Sequence, residues 1–136
     1  MLSPTSTTIR LFLHIVAASV WLGGQITVGG IVPAVRRVSP ATTKTIAQAF
    51  GRVAWPAVGL TVLTGMWSLA AIDITDMSSA YQATVLVHLA AAIASGVFAA
   101  VHAVGRTKLA LALGGALGAL TALAAMFLGV LLRSGS

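Results

Sequence analysis

Residues 8–32 read TIRLFLHIVAASVWLGGQITVGGIV, an apolar run interrupted by a single charge, Arg10. A helix needs about 20 apolar residues to cross a hydrocarbon layer about 30 Å thick. Three further runs of this kind cover residues 53–72, 80–104 and 109–132. The 136-residue chain is 58% hydrophobic and 7% charged, with mean hydropathy +1.01. A soluble domain carries about 25% charged residues. This chain cannot cover a surface with polar groups, so lipid is its expected solvent. The sequence predicts an all-α, integral membrane four-helix bundle, one domain over residues 1–136. No basic segment precedes the first run, so that run is expected to be retained, not cleaved as a leader.

The first run is expected to stop at Pro33, ahead of Arg36 and Arg37. Ser39-Pro40 reads as an N-cap with proline at the first helical position. Residues 41–52 form an amphipathic segment, with Ile46, Ala49 and Phe50 opposing Lys44 and Gln48. It either lies at the interface or leads into the second span. Pro56 predicts a kink. Asp73 and Asp76 mark an acidic loop, and Gly105 to Lys108 a tight turn. Arg36, Arg37, Lys44, Arg52, Arg106 and Lys108 fall on one face; Arg10, Arg133 and both aspartates fall on the other. Basic loops stay inside, so both termini are expected on the outer side of an inner, cytoplasmic membrane. The net charge of +6 is spread over loops without aromatic interleaving, which excludes a nucleic-acid surface. The absence of cysteine removes disulfides, thiolate metal sites and iron–sulfur clusters. No internal repeat is evident. Gly114 and Gly118 make a GxxxG step, and Gly24 and Gly29–Gly30 lie in span one. These suit close helix packing or a dimer contact.

Ionisable groups inside spans are functional candidates. Spans one and three run in the same direction, which puts His14 and His88 at one level near the outer face. Met66 and Met126, on the returning spans, fall in the same layer to within about a turn. Two imidazoles suit haem iron. Imidazole with thioether suits copper(I). A porphyrin needs small residues beside its ligands. Ala17 and Ala18 follow His14 at i+3 and i+4, and Ala91 and Ala92 follow His88 likewise. Arg10, one turn before His14, is placed for a haem propionate. Trp21 falls seven residues after His14, on a stripe that continues to Gln25 and needs hydrogen-bond partners such as Thr61, Thr64 or Thr121. His102 lies fourteen residues after His88 on the same face, a rise of about 21 Å, and is a candidate second-site ligand.

Plainer readings stand beside these. Each histidine also fits a neutral core residue bonded to a carbonyl or hydroxyl. His102, near Arg106, fits an interfacial histidine. The methionines fit packing, and Trp21 and Trp67 fit aromatic belts. No carboxylate lies in any span, which argues against an acidic proton relay. Motifs of metalloproteases, P-loop proteins and serine hydrolases are lacking. The chain reads as a carrier, transport or accessory protein before an enzyme.

HIVAASVWLGG (residues 14–24), AFGRVAWPAVGLTVLTG (49–65) and YQATVLVHLAAAIA (81–94) together resemble the membrane domain of the copper resistance protein D (CopD) family. The resemblance covers about two thirds of the chain. It implies copper handling across the inner membrane. Small four-helix proteins such as the HemJ-like protoporphyrinogen oxidases are similar in layout and imply haem b held by a first-helix histidine. The CopD pattern often has lysine where this chain has His88. That exchange turns one histidine into a bis-His pair.

Three readings therefore stay open. One is a b-type haem between His14 and His88 serving electron transfer, with a quinone or redox protein as partner. Another is copper binding through His14, His88, Met66 and Met126. The last is a cofactor-free structural or assembly subunit, as a homodimer or within a larger membrane complex.

Overall fold

The computed structural model describes residues 3–135. Four long helices account for nearly all of them: α1 (Ser6–Val38), α2 (Pro40–Ala70), α3 (Ser79–Val104) and α4 (Lys108–Ser134). No strand occurs among the described residues. All four helices are long and apolar enough to cross a membrane. In lipid a backbone must satisfy its own hydrogen bonds, and a helix does so within one segment.

Side chains close the helix starts. Thr5 and Thr8 form a reciprocal capping box at α1. The Ser78 hydroxyl accepts from the Tyr81 amide at α3, and Thr107 from the Ala110 amide at α4. Ser39 separates α1 from α2, with Pro40 at the first helical position as expected. Its hydroxyl bonds the Thr42 hydroxyl at 2.7 Å instead of a backbone amide. Arg36 and Arg37 occupy the last turn of α1, where cations favour the helix dipole.

One boundary differs from the sequence reading, and one open alternative is resolved. Pro33 does not end α1, which continues to Val38. Proline inside a helix removes one backbone hydrogen bond and crowds the carbonyl four residues back, here that of Gly29, yet the helix runs through it. Residues 41–52 are not a separate interfacial helix; they are the first turns of α2. At 1.5 Å per residue the 31 residues of α2 measure about 46 Å, well beyond the hydrocarbon thickness. Pro56 also lies inside α2.

The chain divides into two compact units between Ile72 and Asp73. Each is a helical hairpin, α1 against α2 and α3 against α4. In the first, the Phe50 ring occupies the place a Gly24 side chain would take. Trp21 and Trp55 meet across the hairpin with centroids 5.9 Å apart, tilted by 49°. In the second, Gly114 and Gly118 are buried. A Cβ on Gly114 would lie 2.8 Å from the Phe98 carbonyl oxygen and 2.8 Å from the His102 amide nitrogen. The buried Ser95 hydroxyl donates to the Gly118 carbonyl at 2.9 Å. The GxxxG step thus serves packing inside the hairpin. Large apolar side chains such as Phe12, Leu63, Ile93 and Phe127 remain exposed, as lipid-facing residues do.

A 3-10 turn (Ile74–Asp76) opens the second unit. Asp73 caps it, accepting from the Thr75 hydroxyl at 2.6 Å and the Thr75 amide at 3.1 Å. The hydroxyl bond, then the amide bond, hold this exposed carboxyl below its ordinary value against a small desolvation effect. A depressed carboxyl contributes stability above its unfolded pKa and loses it as pH falls through the folded pKa. Thr75→Val is expected to move the Asp73 titration upward, read by carboxyl-carbon NMR. An unmoved titration would contradict this cap.

Gly114→Ala is expected to destabilise the second hairpin by about 1–3 kcal/mol, because backbone atoms cannot yield to the added methyl. Gly23→Ala, with nothing within 4 Å, is expected to be near neutral. Thermal unfolding in detergent, followed by circular dichroism, checks the pair. Equal melting of both variants would contradict the close approach.

Candidate functional site

Each candidate histidine is bonded through Nδ1 to the returning helix of its own hairpin. His14, the ninth residue of α1, bonds Thr64 Oγ1 of α2 at 2.9 Å. His88, the tenth residue of α3, bonds the Ala125 carbonyl of α4 at 2.8 Å. His102 bonds the Leu111 carbonyl at 2.6 Å. These partners determine the tautomer. A carbonyl oxygen only accepts, so Nδ1 of His88 and of His102 carries the proton. Thr64 reaches the same result indirectly. Its single hydroxyl proton goes to the Leu60 carbonyl at 2.7 Å, shared with the Thr61 carbonyl at 3.1 Å. Toward His14 it can therefore only accept. In the neutral imidazole the lone pair then resides on Nε2, the nitrogen that binds a metal when Nδ1 is held.

A glycine lies against each ring. Cβ positions on Gly65 and Gly129 would sit 3.4 Å and 3.5 Å from Cε1 of His14 and His88. On Gly115 the position would be 3.0 Å from His102 Nδ1. At Gly65 and Gly129 these are ordinary van der Waals distances, and only at Gly115 is the approach tight. The two hairpins thus build the same seat, although the sequence has no visible repeat.

The other candidates are placed as follows. Arg10 is buried, with 7% exposure. Ala17 is buried, Ala18 and Ala91 are half-buried, and Ala92 is exposed. Trp21 is half-buried and engaged with Trp55. Met126 is half-buried. Met66 is 62% exposed, whereas Thr64, two residues before it, is 3% exposed. Among the described residues no group of three or more histidine, cysteine or acidic side chains is placed to hold a metal ion. The stripe ending at Gln25 does not complete its hydrogen bonding. The Gln25 Nε2 is buried without a partner, while Thr61 and Thr121 bond carbonyls of their own helices.

Sequence reading singled out the imidazoles but not what holds them. Thr64 appeared only as one of three available hydroxyls. Ala125, Gly65 and Gly129 carry no signal of their own, since a backbone carbonyl and a missing side chain have no residue signature.

Comparison of the chain with protein-family models, characterised proteins and solved structures finds no match.

Nitrogen-15 NMR of the histidine rings is expected to show His14 and His88 as Nδ1–H tautomers at neutral pH. Thr64→Val removes this acceptor and is expected to shift the ring-nitrogen signals of His14, with those of His88 unchanged. An Nε2–H ring at His14 in the unaltered protein would overturn the assignment.

Proposed function

We propose that this chain is a membrane haem protein in which His14 and His88 would hold b-type haem serving electron transfer. The observation that carries the reading is the pair of Nδ1–H imidazoles, one seated in each hairpin by a backbone-anchored acceptor. Ligating histidines characteristically donate their second nitrogen to a carbonyl or another acceptor, which orients the ring and raises its basicity. The donor set suits the group: two neutral nitrogens in apolar helices, without thiolate or carboxylate. When bound, haem supplies reversible one-electron exchange between ferric and ferrous iron.

The chain's own residues do the rest. Thr64 and the Ala125 carbonyl keep the lone pairs on Nε2. Gly65 and Gly129 let both rings lie near their supporting backbone. The surrounding apolar side chains exclude water and keep the local dielectric low. An acceptor lost from such a support costs about 10–100-fold in metal affinity, so Thr64→Val is expected to lose haem in that range while retaining the spectrum of whatever haem it holds.

Copper is the weaker reading. A soft copper(I) site asks for inward thioethers, and Met66 is largely exposed. The resemblance to CopD-type membrane domains supports a metal centre at His14 without selecting the metal. The distribution of basic residues supports insertion in the inner membrane with both termini outside. A quinone or a redox protein is the expected electron partner.

The test is an oxidised and dithionite-reduced absorption spectrum of the protein in mild detergent, with His14→Ala, His88→Ala and His102→Ala. The expected result is a Soret band with sharp reduced α and β bands, lost in the first two variants and kept in the third. A protein without haem after expression in haem-replete cells would sink the reading.

A further inference from the structure

Among the described residues Arg10 is the one charged side chain that the fold buries, with 7% of its surface exposed. Its Nε is buried and has no hydrogen-bond partner among the described residues. Arginine does not escape this situation by losing its proton. Residues 3–72 contain no acid at all. The chain's two aspartates follow, both exposed, and Asp73 is engaged with Thr75. The local helix worsens the balance. Arg10 is the fifth residue of α1, whose first turn carries no acidic residue, and a helix N-terminus is itself electropositive. The Thr5 and Thr8 hydroxyls are committed to the capping box. A buried guanidinium with no counter-charge is costly unless an anion completes it.

We infer that Arg10 is a seat for an oxyanion, a carboxylate or phosphate, that the chain itself does not supply. The guanidinium fork matches both groups in two-point geometry, which an ammonium does not. Two sources share this chemistry. One is the carboxylate arm of a bound cofactor, and this arm rests on the haem reading, since Arg10 precedes His14 by one helical turn. The other is the headgroup of an acidic phospholipid, which stands without it.

The experiment compares the full chain with Arg10→Gln, Arg10→Lys and the surface control Arg36→Gln/Arg37→Gln, all in mild detergent. Haem b is titrated against its dimethyl ester, which lacks the carboxylate charges. Phosphatidylglycerol is titrated against phosphatidylcholine, with bound lipid counted by native mass spectrometry. The expected result is a preference of about ten- to hundredfold for the charged member of at least one pair, the range for a hydrogen bond to an ionised group. Arg10→Gln abolishes that preference, Arg10→Lys keeps part of it, and the surface control keeps all of it. A preference in the haem pair names the cofactor carboxylate; one in the lipid pair names the net anionic phospholipid headgroup. Equal preferences in the unaltered protein and Arg10→Gln overturn the inference. If Arg10→Gln does not fold, absence of preference in both pairs for the unaltered protein overturns it equally, and a preference weakened in Arg10→Lys upholds it. Haem bound equally well as acid and ester, with no preference in the lipid pair either, leaves the haem reading intact while removing this one. Arg10-dependent lipid without haem does the reverse.

Discussion

An apolar solvent leaves a polypeptide no outside partner for its amides and carbonyls, and this constraint governs the molecule. Helices answer it for the backbone. Hydroxyl side chains answer it by turning back on their own helix. Thr27, Thr61, Thr64, Thr84 and Thr121 each donate to the carbonyl four residues earlier. At Thr64 that bond does more than satisfy a hydroxyl. By committing the proton to Leu60, it leaves only lone pairs for His14. A local rule of membrane helices thereby selects the tautomer of a ring fifty residues away.

Lipid also removes the usual drive for helices to associate, since leaving lipid for a neighbouring helix gains little hydrophobic energy. Contact must come from close approach and from interhelical hydrogen bonds. The second hairpin uses both at one level: Gly114 and Gly118 bring the backbones together, and Ser95 donates across to Gly118. The first hairpin uses an aromatic ring over Gly24 and the paired indoles of Trp21 and Trp55. The same economy seats the histidines. Each of the three imidazoles packs against a glycine of the opposite helix.

Fold class was legible because it depends on quantities that need no partner. Run length and hydropathy identify spans, and residues 80–104 and 109–132 match α3 and α4 to within two residues. What was misread or left open was of another kind. Pro33 was read as a stop because proline costs a helix one backbone hydrogen bond, yet α1 runs through it to Val38. Residues 41–52 admitted either an interfacial segment or a lead into span two, and the structure has the second, since polarity does not interrupt a helix that leaves the hydrocarbon. The GxxxG step admitted either a dimer or a hairpin contact, because spacing on one helix does not name the helix opposite.

By itself, then, the sequence determined that this chain is helical, that four segments are long and apolar enough to cross a membrane, and that only a few residues, His14, His88, His102 and Arg10 among them, are chemically out of place there. It did so because span length and the cost of polarity in lipid are properties of single segments. The tertiary structure alone decided which nitrogen of each ring carries the proton, that Met66 is exposed while Thr64 is buried, and that Arg10 is buried without a carboxylate. Those facts depend on which backbone carbonyl, hydroxyl or empty Cβ position faces a side chain from another helix.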